Sequence, residues 1–209
     1  MIFSYKPEIS IIMPTYNRAG HLENAVQSVL AQSCTDWELI IIDDGSSDNT
    51  FALLDPYIGK FPHIRYMKHS NRKPALSRNA GIQASFGRYI TFLDSDDHYL
   101  VNHLESRLTL IESMEDVSLL SGGFLCDENM MVKDWKDPLR MVGIRECTLG
   151  GTFFGKRELF LQLEGFSEVT YAEDTDLWQR ASELYTVKTI EDPKTYVYRR
   201  AEDSITLNH

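Results

Sequence analysis

The sequence predicts an α/β fold with a mostly parallel central sheet flanked by helices. Three observations carry this. Short apolar runs rich in β-branched residues alternate with helical periodicity through the first hundred residues, in the order β-α-β-α-β-α-β. That alternation specifies parallel strands joined by right-handed crossovers. Polar or acidic residues follow the first, second and fourth strands, where ligands of such sheets collect. Finally, 209 residues with 43% hydrophobic and 25% charged content are enough to close one core, so a single domain over 1–209 is expected.

Residues 9–13 read as the first strand, ended by Pro14, with Thr15, Tyr16, Asn17 and Arg18 in a loop. Leu22, Ala25, Val26, Val29 and Leu30 then recur on one helical face. Residues 37–42 form a second strand, nearly all apolar, as one covered on both faces should be. It runs into Asp43, Asp44 and Gly45, where the glycine permits a tight turn. Ser47 or Asp48 can cap a helix reaching about residue 58. Residues 64–68 are a third, shorter strand, followed by a basic loop from His69 to Pro74. The next helix carries Leu76, Ala80, Ile82 and Ala84, with Arg78 and Asn79 in its first turns and Gly81 for close packing. The fourth strand leads into Asp94, Ser95, Asp96 and Asp97.

Leu100, Leu104, Leu108 and Ile111 mark a further helix, and residues 117–120 a strand. Residues 121–150 hold short strand-like pieces and turns, and a small antiparallel part is expected in this C-terminal half. Residues 150–154 lead into a helix over 156–163, closed by Gly165 and Phe166. Another helix opens at Tyr171, Ala172, Glu173 and Asp174 and carries Leu177, Trp178, Ala181 and Leu184. Strands at 186–190 and 195–198 precede a polar tail.

Composition removes several function classes. A net charge of −10 disfavours nucleic acid as a partner and a broad anionic-membrane patch. Cys34, Cys126 and Cys147 are scattered and odd in number, which fits a reducing, cytoplasmic compartment. No secretory leader pattern and no run of the ~18 apolar residues needed for a membrane helix is seen. Glycine-rich phosphate cradles, dinucleotide fingerprints, Gly-X-Ser-X-Gly elbows and zinc-spaced histidines are all missing.

What remains is carboxylate and metal chemistry on a phosphate-bearing substrate. Three acids within four positions, 94 to 97, are costly to bring together unless a cation sits between them. Mg²⁺ or Mn²⁺ held by Asp94 and Asp96 suits that need, since such ions take few protein carboxylates and fill up with water and phosphate oxygens. The plainer alternative is an acidic turn with Asp97 capping the next helix. Arg78 suits a phosphate or a base, or else a solvated helix face. Asp44 suits a base or ribose, or an Asx-turn. Glu173 and Asp174 can serve a helix dipole, or supply a general base for an attacking hydroxyl.

Four motifs in order resemble those of the family 2 glycosyltransferases. They are Ile11-Ile-Met-Pro14-Thr-Tyr-Asn-Arg18, Ile42-Asp-Asp-Gly-Ser-Ser-Asp-Asn-Thr50, Arg78-Asn-Ala-Gly81 and Phe92-Leu-Asp-Ser-Asp-Asp97. The resemblance runs from about residue 8 to 205 and implies a GT-A (Rossmann-like) fold. It implies a nucleotide-binding half over about 8–100 and an acceptor-binding half over about 101–209. The implied activity is inverting transfer from a nucleotide-diphosphate sugar, most often a UDP-sugar, to a saccharide or lipid-linked acceptor. Polysaccharide or glycoconjugate synthesis is the implied setting, with peripheral association at the inner membrane face compatible with it. Carried over by motif, Pro14, Thr15 and Tyr16 line the base pocket, and Asp44 bonds the base. Arg78 lies beside base or phosphate, Ser95 belongs to the nucleotide site, and Asp94 and Asp96 serve ribose and the Mn²⁺ or Mg²⁺ ion. Asp174 matches the catalytic base. Gly150 and Gly151 resemble a segment lining the sugar and acceptor side. One departure stands out: Ala201 occupies the place of a family histidine, which leaves Arg199 or Arg200 for phosphate contact or a weaker site. The alternative this opens is a nucleotide-sugar-binding module without turnover. An aspartyl phosphatase is disfavoured because Pro14 and Thr15 stand where its paired acids belong. A nucleotidyltransferase lacks its basic glycine-rich loop.

Overall fold

The structure, a computed structural model, describes residues 6–200 except Pro138 and Thr170. In chain order it has β1 (Ile9–Thr15), α1 (Ala19–Leu30), β2 (Trp37–Asp43), α2 (Thr50–Lys60), β3 (Ile64–Lys68) and α3 (Lys73–Ala84). Then come β4 (Tyr89–Phe92), β5 (His98–Tyr99), α4 (His103–Glu112), β6 (Val117–Gly122), β7 (Phe124–Leu125), β8 (Met131–Lys133) and β9 (Met141–Gly143). The chain continues through β10 (Phe154–Lys156), α5 (Arg157–Gln162), α6 (Glu173–Leu184), β11 (Thr186–Ile190) and β12 (Tyr196–Val197).

Seven strands form the main sheet, in the order β11-β6-β10-β4-β1-β2-β3. β1 pairs in parallel with β2 and β4, and β2 with β3, as the alternation requires. Successive residues of β1 point to opposite faces. Ile11 and Met13 join the layer of α1, α2 and α4, while Ile12 joins Ile82, Phe92, Phe160 and Leu177 on the other face. Both faces are covered, so β1, β2, β4 and β6 are buried along their whole lengths. Asp48 sets the starts of two helices: one oxygen accepts from the Thr50 N–H at 3.1 Å, the other from the Ala19 N–H at 3.1 Å.

The small antiparallel part is present. β10 runs antiparallel between β4 and β6, β8 and β9 form a hairpin, and β12 pairs antiparallel with β5. β12 also lies parallel to β7.

Several expectations need correction. β1 passes through Pro14 and ends at Thr15. The pairing with β4 has already stopped at Ile12 opposite Phe92, so Pro14 has a strand on one side only, where proline is tolerated. β10 lies where a simple lead-in to a helix was expected; three residues are too few to show a period. Of the apolar positions read for α3 only Ile82 lies on its buried face. Ala75, Ser77, Arg78, Gly81 and Ile82 are buried, and Leu76 and Ala80 are only half-buried. Leu100 precedes α4 and is exposed, and Leu184 at the end of α6 is 70% exposed. Ala201 lies outside the described residues.

Gly81 is the contact that lets α3 lie close on β1. A Cβ added there would stand 2.4 Å from Cγ2 of Ile12, a fully buried side chain. Gly81→Ala gains about 1 kcal/mol of helix propensity but loses about 1–3 kcal/mol through overpacking. Urea unfolding of this variant is therefore expected to show a net loss of stability.

Candidate active site

The carboxyl ends of β1, β2 and β4 open on one cavity of about 1000 Å³. The residues expected to bind nucleotide or metal and the expected base all line it, whereas Arg199 and Arg200 do not. Pro14, Thr15 and Tyr16 come from the end of β1, Asp44 follows β2, and Arg78 projects from α3. Asp94, Ser95 and Asp96 follow β4, and Asp174 comes from the first turn of α6.

Arg78 sits at the centre, 6% exposed. Its Nη2 donates to Asp94 Oδ1 at 2.8 Å, and its Nη1 to Glu173 Oε1 at 3.0 Å. Nη1 also lies 3.8 Å from Asp174 Oδ1. The guanidinium stands over the Phe166 ring, 5.4 Å from its centroid. Burial by itself would lower the Arg78 pKa. The charges of Asp94, Asp174 and Glu173 overcome it and hold the group firmly protonated. In this structure, then, one buried cation joins the acidic turn after β4 to the start of α6, two segments some eighty residues apart in sequence.

Asp174 packs against the backbone of Gly150, where an added Cβ would lie 2.3 Å from Oδ1. Burial, then the charge of Glu173, pushes its pKa up to about 7, while Arg78 and the Gly150 amide pull the other way. Its Oδ1 has no hydrogen-bond partner, and neither has the buried Thr15 Oγ1. Both belong to cavity-lining residues, and a buried polar atom without a partner is costly unless a ligand serves it.

Asp44 uses both oxygens on backbone: Oδ1 accepts from the Arg72 N–H at 2.7 Å and Oδ2 from the Lys73 N–H at 2.8 Å. This pins the loop that starts α3. Each oxygen keeps a second lone pair for another donor. Tyr16, 47% exposed, presents its ring on the same wall.

Asp97 does not cap a helix, since α4 starts six residues later. It is buried, with Oδ2 accepting from the Tyr196 hydroxyl at 2.5 Å and Oδ1 from the Arg199 N–H at 2.6 Å. Tyr196 lines the cavity too, and Gly151 is glycine because a Cβ there would lie 2.3 Å from the Tyr196 hydroxyl. Sequence reasoning missed Tyr196; a lone tyrosine in a short strand carries no signal. Of the two basic residues considered for phosphate contact, Arg200 donates from Nη1 to Met131 O at 3.0 Å.

Asp96 is half-buried beside Asp94. Burial, then the Asp94 charge, raises its pKa, against the pull of Arg18 and His21. Among the described residues no group of three or more His, Cys, Asp or Glu side chains could hold a metal. A full protein cage is therefore not what the turn provides. The donor set fits an ion that takes one or two carboxylates and completes its shell with phosphate and water.

The chain belongs to glycosyl transferase family 2, whose family model matches residues 10–156. A Campylobacter jejuni relative named GalNAc(5)-diNAcBac-PP-undecaprenol beta-1,3-glucosyltransferase is 29% identical over 214 residues, 96% of this chain and 68% of its own length. Relatives of higher identity, 41%, 41% and 33%, match about half of this chain, and those matches span 42%, 17% and 31% of their lengths. The chain thus spans less than half of these proteins. Among solved structures, S. aureus TarS 1–349 in complex with UDP-GlcNAc superposes with a TM-score of 0.77 at 19% identity, over 97% of this chain and 61% of that one. The mannosyltransferase PcManGT from Pyrobaculum calidifontis, in complex with GDP-Man and Mn²⁺, gives 0.74 at 20%, over 96% and 59%. The fold is therefore GT-A.

An acid whose pKa rises on folding stabilises the fold in its protonated form. That contribution is complete below about pH 4 and is lost as the pH climbs through about 7. The stability of the parent chain relative to Asp174→Asn should accordingly fall by on the order of 4 kcal/mol between pH 4 and pH 8. Urea unfolding of both proteins across that range checks it; a pH-independent difference would show that Asp174 does not titrate there.

Proposed function

We propose that this chain is an inverting glycosyltransferase. It moves a sugar from a nucleotide-diphosphate sugar, a UDP-sugar first among them, to an acceptor hydroxyl in polysaccharide or glycoconjugate synthesis. The observation that carries this reading is the placement of Asp174 and the acidic turn on one cavity, bridged by Arg78. A base on one side of a donor site and a phosphate-facing turn on the other is the arrangement a single inverting displacement needs.

In this reading residues 8–100 hold the donor and residues 101–209 face the acceptor. Tyr16 packs on the base beside Pro14, the Thr15 hydroxyl finds its partner on the nucleotide, and Asp44 accepts from the base. Ser95 and Asp94 face the ribose, and Asp96, with Asp94, holds Mn²⁺ or Mg²⁺. That ion, when bound, supplies positive charge for the departing diphosphate. Asp174 takes the acceptor's proton, and a pKa near 7 suits a general base at neutral pH. Arg78 keeps the base and the donor turn at a fixed separation and prevents their charges from driving them apart.

The acceptor is a saccharide or a lipid-linked saccharide. The name of the Campylobacter relative, which refers to an undecaprenol-linked substrate, supports the second form. No helix among the described residues is long and apolar enough to cross a membrane. The working location is cytoplasmic, with peripheral contact at the inner membrane face.

Calorimetry of UDP with and without Mn²⁺ tests the donor site. The parent chain should bind UDP in a metal-dependent way, and Asp96→Ala should lose at least tenfold in affinity. Equal binding without metal would remove Asp96 from this role. For the base, Asp174→Asn should lower kcat by about 10²–10⁴-fold while UDP affinity stays within threefold. The parent's rate should fall on the acid side of about pH 7, where Asp174 takes up a proton. Gly150→Ala, which intrudes on Asp174 and not on the nucleotide wall, should reproduce the loss of kcat with UDP binding intact.

A further inference from the structure

The cavity has two unlike walls. The ends of β1, β2 and β4 make one, rich in charge. The β8–β9 hairpin and the stretch after it make the other, with Val132, Trp135, Val142, Ile144 and Leu149 facing the cavity and Tyr171 beside them. Trp135 lies on the connection between β8 and β9 and is 44% exposed. The Lys136 ammonium stands 5.1 Å from its ring centroid. An open indole on a cavity wall offers a large apolar area with a polar edge. At about 1000 Å³ the cavity stands at the top of the range of small-molecule sites, about 300–1,000 Å³, and both walls line it.

We propose that the β8–β9 hairpin is the acceptor-sugar subsite and that the Trp135 indole is the platform on which a pyranose ring stacks. The proposal rests on the transferase reading above and adds the residue that selects acceptors. A pyranose presents one face of C–H bonds and an edge of hydroxyls. The indole suits the face; Lys133, Asp134 and Thr148 on the same wall suit the edge. The hairpin is also tied to the base. The Tyr171 hydroxyl donates to Lys133 O at 2.9 Å, and Tyr171 lies three residues before Asp174. On the same strand, Met131 O accepts from Arg200. The platform therefore stands at a set distance from Asp174, which is what orienting an acceptor hydroxyl requires.

The test follows the three tryptophan indole N–H signals by NMR in the full chain with UDP and Mg²⁺. Trp37 is buried and Trp178 half-buried, so they serve as internal controls, and Trp135→Phe assigns the third. The added probes are methyl β-D-glucopyranoside and methyl β-D-N-acetylglucosaminide. The Trp135 signal should shift saturably with at least one glycoside. Trp135→Ala should weaken that binding at least tenfold, Trp135→Phe should stay within about threefold of the parent, and UDP affinity should not change in either. UDP binding with no glycoside-dependent shift, or glycoside binding that survives Trp135→Ala, would overturn the subsite. Glycoside shifts at Trp135 in a chain that does not bind UDP would sink the donor reading and leave the sugar platform standing.

Discussion

One buried guanidinium holds the site together. Arg78 is almost wholly removed from water, and isolated burial of such a charge would cost several kcal/mol. It is tolerated because Asp94, Glu173 and Asp174 surround it. The dependence runs both ways, since the carboxylates would repel one another without it. Three charges against one still leave a net negative cavity wall. Burial first, and then the charge of neighbouring carboxylates, pushes Asp174 up to about 7 and raises Asp96 and Asp97 as well. In the proposed reading, a wall with this excess of carboxylates receives a diphosphate only with a cation between them, so the metal proposed for the donor and the raised Asp174 share one electrostatic origin.

The rest of the site is positioned by contacts too tight for side chains. Gly150 and Gly151 bring their backbone against Asp174 and the Tyr196 hydroxyl, and Tyr196 in turn holds Asp97. Through this chain of contacts the last described strand fixes the acidic turn that follows β4. Arg107 fastens the same region from beneath. It is fully buried and donates to the carbonyls of Pro193, Gly122 and Gly123. The C-terminal segment is thus part of the donor turn's support, although nothing in its composition announces this.

How legible the molecule was depends on which half is considered. β1, β2 and β4 are buried on both faces, so their apolar runs and acidic ends stand out against the helices between them. The eight residues picked from those ends and from α6, with Arg78 from α3, all reach one cavity. Legibility failed where burial was polar or short-range. The hidden face of α3 contains Ser77, Arg78 and Gly81, which no hydrophobic pattern would choose, because Arg78 is buried by ion pairing rather than by apolarity. β5, β7 and β10 have two or three residues each, and only their partners across the fold make them strands, whereas the strand read at 195–198 is present as β12.

That division has a physical reading. In the proposed reading the first hundred residues meet groups common to any nucleotide-diphosphate, so that part can be built from regular parallel elements whose ends converge automatically. The proposed acceptor varies in shape, and the wall assigned to it is made of the β8–β9 hairpin and the stretch after it, with tight glycine contacts at Gly150 and Gly151. Such a wall can change its lining without disturbing the sheet beneath, because β8 and β9 pair only with each other. The first hundred residues and the rest are joined by the pairing of β10 with β4 and by side-chain tethers such as Arg78 to Glu173, Asn79 to Phe166 and Tyr196 to Asp97, while Tyr171 to Lys133 ties the hairpin to the segment before α6. A substitution on the hairpin tip should therefore alter which acceptor is held, whereas one in any tether should alter how well base and donor face each other.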